Sequence, residues 1–256
     1  MVIKQLTKIC AVILLAFTCA VNQQVNANEL AVVQPNIQAA VDSGARPEKD
    51  VNRDVARKPF DVMSFSGIKS GDVVADIGSA GGYYTRILSD IVGSEGHVHG
   101  FNGKEFARIF KNGNPTDPIA EERDNVTSIM GTFNAPTFSE PLDAAIIVLI
   151  YHDTQLSYLG IDTASMNRSL FDALKPGGSY LVIDHVAEMG SGLRDVDKMH
   201  RADPVLVRQE IEAAGFEFVA ESDILRNSED ALNSMVMLPA MRGKTDRFIL
   251  KFKKPE

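Results

Sequence analysis

The stretch VVADIGSAGGYYTR, residues 73–86, constrains this chain more than any other. Its first positions, Val73-Val74-Ala75-Asp76-Ile77, suit a strand, and the residues from Tyr83 onward suit a helix. Between them Gly78, Gly81 and Gly82 can adopt positive φ and let a ligand approach the main chain closely. The helix after such a turn opens with unpaired N–H groups, which favour a polar ligand there. Strand, glycine turn and helix in that order form the first half of a βαβ unit, so a sheet with crossover helices is expected.

The rest of the chain repeats the alternation. Strands are expected at 72–77, 97–101, 125–130, 143–151, 179–187, 216–221 and 246–253, with helices near 50–65, 83–92, 104–111, 164–174 and 204–214. The runs DAAIIVLIY (143–151) and SYLVIDHVA (179–187) are apolar almost throughout their middles, which marks strands covered on both faces. The pattern therefore predicts an α/β domain with a doubly wound, mostly parallel, seven-stranded sheet. Asp203, Pro204 and Gly215 supply a cap, a first-turn proline and a stop for one helix. NGNPTDP at 112–118 reads as a loop, and 223–245 as a long connection whose Met235, Met237 and Met241 are expected to fill core gaps or to line a pocket.

Three segments follow. Residues 1–27 carry Lys4 and Lys8, an apolar run from Ile9 to Ala20, and Val25-Asn26-Ala27, the pattern of a secretory signal cleaved after Ala27. Residues 28–50 read as a leader that packs on the domain or stays loose, and 51–256 as the domain itself. The apolar run is shorter than the roughly 20 residues a membrane span needs, so no stable span is expected after cleavage, and the product is expected to be periplasmic or extracellular. Both cysteines, Cys10 and Cys19, lie in the signal, which excludes disulfides, thiolate metal sites and a cysteine nucleophile from the exported body. Losing two lysines and no acids takes the net charge from −8 to −10, a balance that argues against a nucleic-acid partner.

Several chemistries compete for the glycine turn. A dinucleotide loop needs G-x-G-x-x-G, and the order Gly78, Gly81, Gly82 fails that spacing. A serine esterase would use Ser79 as its nucleophile, but Ile77 stands where a sharp elbow wants a small residue, and too little chain precedes the turn. In the third reading, Asp76-Ile77-Gly78-Ser79-Ala80-Gly81-Gly82 resembles the D/E-x-G-x-G-x-G loop of class I S-adenosylmethionine-dependent methyltransferases, with Ala80 in place of the middle glycine. FDALKPGGSYLVID (171–184) resembles the passage before the fifth strand of those enzymes, and DRFILKFKKP at the chain end resembles their closing antiparallel strand. More narrowly, the chain resembles a group of exported methyltransferases.

The resemblance implies a Rossmann-like sheet with S-adenosylmethionine as cofactor and a small-molecule methyl acceptor. Carried onto this sequence, it places Asp76, Gly78, Ala80 and Gly82 at the cofactor, with Asp76 facing its cationic amino group. Asn102 stands where an acid usually grips the ribose, and Asn134 stands on the adenine side. A non-catalytic protein that keeps the fold and binds another ligand is the alternative.

Ligands of open α/β sheets sit beyond the C-terminal strand ends. There the sequence places Tyr151-His152-Asp153, Asp184-His185 and His200-Arg201. For transfer to oxygen or nitrogen, His152 or His185 is a candidate base, Asp153 or Asp184 a candidate orienting group, and Arg194 or Arg201 a partner for an anionic acceptor. No tight ligand spacing marks a metal site, so none is expected. His97 and His99 alternate on the second strand without an assigned role.

Overall fold

The computed structural model describes residues 36–256, so the expected signal (1–27) and residues 28–35 of the leader lie outside the described residues. Seven strands are seen: β1 (Val73–Ile77), β2 (His97–Gly103), β3 (Val126–Gly131), β4 (Leu142–Val148), β5 (Leu174–His185), β6 (Glu217–Ser222) and β7 (Arg247–Lys253). Their order in one sheet is β3-β2-β1-β4-β5-β7-β6. Only β7 runs against its neighbours, β5 and β6, while the others pair in parallel. The helices are α1 (Glu48–Val51), α2 (Asp54–Arg57), α3 (Pro59–Ser66), α4 (Tyr83–Val92), α5 (Asp117–Glu122), α6 (Tyr151–Thr154), α7 (Thr163–Ala173), α8 (Val196–Met199) and α9 (Pro204–Ala213).

The doubly wound sheet explains the unbroken apolar strands. Side chains alternate across a strand, and β4 sends Ala145 and Ile147 into the core on one face but Ala144 and Ile146 into the core on the other. Helices α7 and α9 cover the first face with Leu170, Val207 and Ile211, and α4 covers the second with Ile87, Leu88 and Ile91. Ile37 and Ala40, in the helical stretch 36–41, are buried in that second core, so this part of the leader packs on the domain. No helix of the described residues is long and apolar enough to cross a membrane.

Four elements depart from expectation. The helix expected over 50–65 is broken into α1, α2 and α3, with Lys58 at φ 43 in the left-handed region. Pro59 follows it, and a proline disfavours helical backbone in the residue before it. Strand β4 stops at Val148, since Leu149 turns left-handed (φ 60) and Tyr151 opens α6. Of the helix expected over 104–111 only a 3₁₀ turn, Lys104–Phe106, is present. The loop at 112–118 gives way at Asp117 to α5, which takes Pro118 in its first turn.

Candidate functional site

The glycine turn is built by its neighbours. Gly78 and Gly82 sit at φ 70 and 74, and a Cβ at Gly82 would stand 1.9 Å from Ile119 Cδ1. Gly82 therefore packs the start of α4 against α5 and lines neither cavity described below. Ala80 holds φ 47, the left-handed conformation that glycine takes freely and alanine does at a cost of about 1–2 kcal/mol. Ala80→Gly is expected to relieve that strain, less the greater freedom glycine has when unfolded, for a net gain of about 0.5–1 kcal/mol in chemical denaturation.

Asn102 braces this turn from β2. Its Oδ1 accepts from Ala80 N (2.8 Å), and its Nδ2 lies within 2.8 Å of Asn114 Oδ1, 2.9 Å of Thr116 Oγ1 and 3.1 Å of Ser79 Oγ. The amide is spent inside the protein, so Asn102 shapes the loop although the residue borders a cavity. Ser79 is also held inside the protein. Its hydroxyl lies 2.8 Å from Thr116 Oγ1 and accepts from Asn102, and neither partner is a base that could activate a nucleophile. Asn134 lies away from both cavities, where its Oδ1 accepts from Asp162 N (2.7 Å) beside α7.

Two hollows meet over the turn, sharing Gly78, Ala80, Leu149 and Ile150. The smaller, about 500 Å³, holds Asp76 at the end of β1. Asp76 is 3% exposed, and its Oδ2 accepts from Thr85 Oγ1 (2.7 Å). Burial raises its carboxyl to about 6 despite that bond and the nearby Arg57 guanidinium. Half-buried Arg57 stands 4.5 Å from the Tyr83 ring centre. Neither Asp76 nor Arg57 forms an ion pair among the described residues, although the neighbouring Asp50 and Asp54 are paired with Arg53, Arg86 and Arg46. Arg53 and Arg57 on this rim are not among the expected site residues, and their only signal in the sequence is the crowding of Arg46, Lys49, Arg53 and Arg57 within one short segment.

The larger cavity, about 760 Å³, runs from the turn to the ends of β4 and β5. Phe106, Phe110, Phe133, Leu156 and Tyr158 make much of its wall apolar. Met237 lines it and is 50% exposed, so this methionine belongs to a pocket rather than to a core gap. Glu105 also lines it, with Oε1 accepting from Thr132 Oγ1 (2.6 Å) and Phe133 N (3.2 Å). It was missed because β2 runs two residues further than expected and places this acid on the turn beyond Asn102.

His152, Asp153 and His185, the expected catalytic residues, all line this cavity, together with His200. His152 Nδ1 lies 2.8 Å from Asp184 Oδ1, while Asp184 Oδ2 accepts from His152 N at 2.7 Å. Asp153 Oδ1 lies 3.1 Å from His152 Nε2 and 3.2 Å from His200 Nδ1. Burial opposes a charge on His152, but Asp184 and Asp153 outweigh it and raise the imidazole to about 10. Burial likewise opposes the Asp153 carboxylate, and His152 and His200 pull it down to about 2. His185, with Nδ1 2.7 Å from Thr245 Oγ1, is pushed by burial to about 3 and stays neutral. His185 is therefore the unprotonated imidazole at this wall, and His152 the one its carboxylate neighbours hold protonated. Arg194 pairs with Asp195 and Glu188, Arg201 is fully buried against Asp230, and neither lines the two cavities.

The sheet order, with one antiparallel strand inserted at the end and cavities over β1, β4 and β5, is that of the class I S-adenosylmethionine-dependent methyltransferase fold. Solved structures of that fold resemble the chain. A SAM dependent methyltransferase from Aquifex aeolicus matches with a TM-score of 0.55 at 17% identity, over 86% of this chain and 97% of that one. CrArsM, an arsenic (III) S-adenosylmethionine methyltransferase from Chlamydomonas reinhardtii, matches at 0.53 and 16%, over 87% and 74%. The [4+2]-cyclase SpnF matches at 0.52 and 15%, over 90% and 94%. No family model matches the sequence, and no curated protein matches it. At these identities the likeness shows the fold, and function has to be argued from the site.

Proposed function

We propose that the chain, exported after loss of residues 1–27, is an S-adenosylmethionine-dependent methyltransferase acting on an oxygen or nitrogen of a small molecule or envelope component. One observation carries the reading: a buried carboxylate, Asp76, and a guanidinium, Arg57, share one cleft without pairing directly. Together they complement the ammonium and carboxylate of an α-amino acid, which the methionine part of the cofactor carries. The turn fits beside them, since a Cβ at Gly81 would meet nothing within 4 Å. Gly78 and Ala80 connect this cleft to the larger cavity, where Glu105 and half-buried Phe106 offer an acceptor oxygen and an apolar face to a nucleoside.

When bound, the cofactor supplies an electrophilic methyl group on a sulfonium. The protein's part is alignment, which can account for much of the rate. The aromatic wall holds the acceptor at the His152–His185 end of the cavity, where His185 presents an unprotonated imidazole. Asp184 holds His152 at two points, accepting from its backbone N–H and contacting its ring Nδ1, and so sets the polar floor against which the acceptor lies.

Calorimetry on residues 28–256 is expected to show one S-adenosylmethionine site. Gly81→Arg, at a position with open space and no positive φ, is expected to fold normally and lose binding by at least tenfold. No heat and no shift in melting temperature with saturating cofactor would end this reading. The match to SpnF, named as a cyclase, favours keeping a second one, in which the fold binds a ligand without methylating it. Cofactor binding with no methylated product across candidate acceptors would select that alternative.

A further inference from the structure

The His152–Asp153–His200 group offers three ligand atoms that converge at the cavity wall. One atom from each residue lies within 4.8 Å of the others. Asp153 Oδ1 stands 3.1 Å from His152 Nε2 and 3.2 Å from His200 Nδ1. Bonds of roughly 2.0–2.2 Å to a single ion put neighbouring donor atoms about 3.0–3.5 Å apart at octahedral to tetrahedral angles. We propose that His152, Asp153 and His200 form a binding site for one divalent first-row transition ion at the wall of the larger cavity.

Two features beyond the cluster support this. The ring nitrogen of His152 that faces away from the cluster, Nδ1, is 2.8 Å from Asp184 Oδ1, and the other oxygen of that carboxylate is fixed by His152 N at 2.7 Å. A buried carboxylate behind a histidine is the arrangement that orients and strengthens a metal-binding imidazole. In addition, His200 is held at φ 54 and is 8% exposed. A left-handed histidine is strained, and such strain collects at functional sites. Its neighbour Arg201 anchors it from the other side by pairing with Asp230 and donating to the Val186 and Ser234 carbonyls. Two imidazoles and one carboxylate suit Zn²⁺, Co²⁺ or Fe²⁺ rather than Mg²⁺ or Ca²⁺. All three residues line the cavity, so water or an oxygen of the cavity's ligand can complete the ion's shell. His152 and Asp153 are consecutive and His200 lies 47 residues on, which is why no compact motif signals the site.

The test uses residues 28–256 stripped with a chelator and titrated with Co²⁺, without S-adenosylmethionine, so that failure here and failure of the cofactor reading are separate results. One Co²⁺ per chain with a visible-range absorption band, displaced by Zn²⁺, is expected. Asp184→Asn should weaken binding about 10–100-fold. His200→Asn, which keeps a residue tolerant of left-handed backbone, and Asp153→Asn should each weaken it further, while His97→Gln should leave it unchanged. Far-UV circular dichroism and thermal melts identify which variants are folded, and loss of binding in either folded ligand variant supports the site. Absence of both the band and any chelator-reversible melting shift at millimolar Co²⁺ or Zn²⁺ overturns the proposal. So does one-to-one binding that survives both His200→Asn and Asp153→Asn.

Discussion

Asp76→Asn is expected to make the ligand-free protein more stable at neutral pH while it weakens S-adenosylmethionine binding roughly 30-fold or more. The stability half follows from burial. A carboxyl raised from 3.8 to about 6 is held ionised at pH 7 against its surroundings. Each pKa unit corresponds to about 1.4 kcal/mol, so the ionised Asp76 costs the fold up to about 3 kcal/mol. Asparagine removes the charge and keeps an oxygen for the Thr85 hydroxyl, which now donates to Asp76 Oδ2. A gain of about 1–3 kcal/mol in urea denaturation is the expected size. The affinity half follows from the opposite consideration, because a buried ammonium left without its carboxylate loses about 2 kcal/mol or more.

The pH dependence has a definite sign. Asp76 binds its proton more tightly in the folded state than in the unfolded one, so its contribution favours folding most below about pH 4 and is lost as pH rises through about 6. Cofactor affinity runs the other way, since only the carboxylate pairs with an ammonium. Binding should therefore weaken about tenfold per unit as pH falls below about 6, and Asp76→Asn should flatten that slope. An Asp76→Asn protein with unchanged affinity, or with reduced stability at pH 7, would remove Asp76 from the ammonium role. Such a residue, costly to the fold and useful only with a ligand, is what the stability–function trade-off predicts at a site.

The sequence carried the fold because the determinants were local and periodic. Each of the seven strands lies within a few residues of its expected place, since alternation between two cores leaves an unbroken apolar signature, as at Ala144 to Ile147. The breaks came where single residues overrode periodicity: Lys58 ahead of Pro59, and Leu149 turning left-handed at the site. Of the expected site residues, Asp76, His152 and His185 line the cavities because each stands at or just beyond a strand end, a placement the sequence pattern carries. Asn102 and Asn134 could not be placed from the sequence because an amide's partners are tertiary. One is spent on Ala80, Asn114 and Thr116, the other on Asp162. Arg57 and Glu105 were missed because their placement depends on a broken helix and on two extra residues of β2.

Arg201→Met is expected to cost about 3–5 kcal/mol, the usual size when one partner of a buried ion pair is removed. Arg201 is the largest fully buried side chain, bonded to Asp230 at 2.9 and 3.0 Å and to the carbonyls of Val186 and Ser234. Burial opposes the Asp230 carboxylate, but Arg201 and the Asp246 and Leu232 amides hold it below its usual range. Without Arg201, a carboxylate whose side chain is 1% exposed is left uncompensated. The deficit should narrow as pH falls and Asp230 takes a proton, and Arg201→Met combined with Asp230→Leu should cost less than Arg201→Met alone. A loss under about 1 kcal/mol by urea denaturation would show that the pair is not what holds this region. The effect should reach the cavity as well. The pair ties the connection after β6 to the turn carrying His200, and Val236 N donates to Met199 O at 3.1 Å beside it. Val236 and Met237 line the cavity on that connection, so a loosened pair should weaken ligand binding there even under conditions where the domain stays folded.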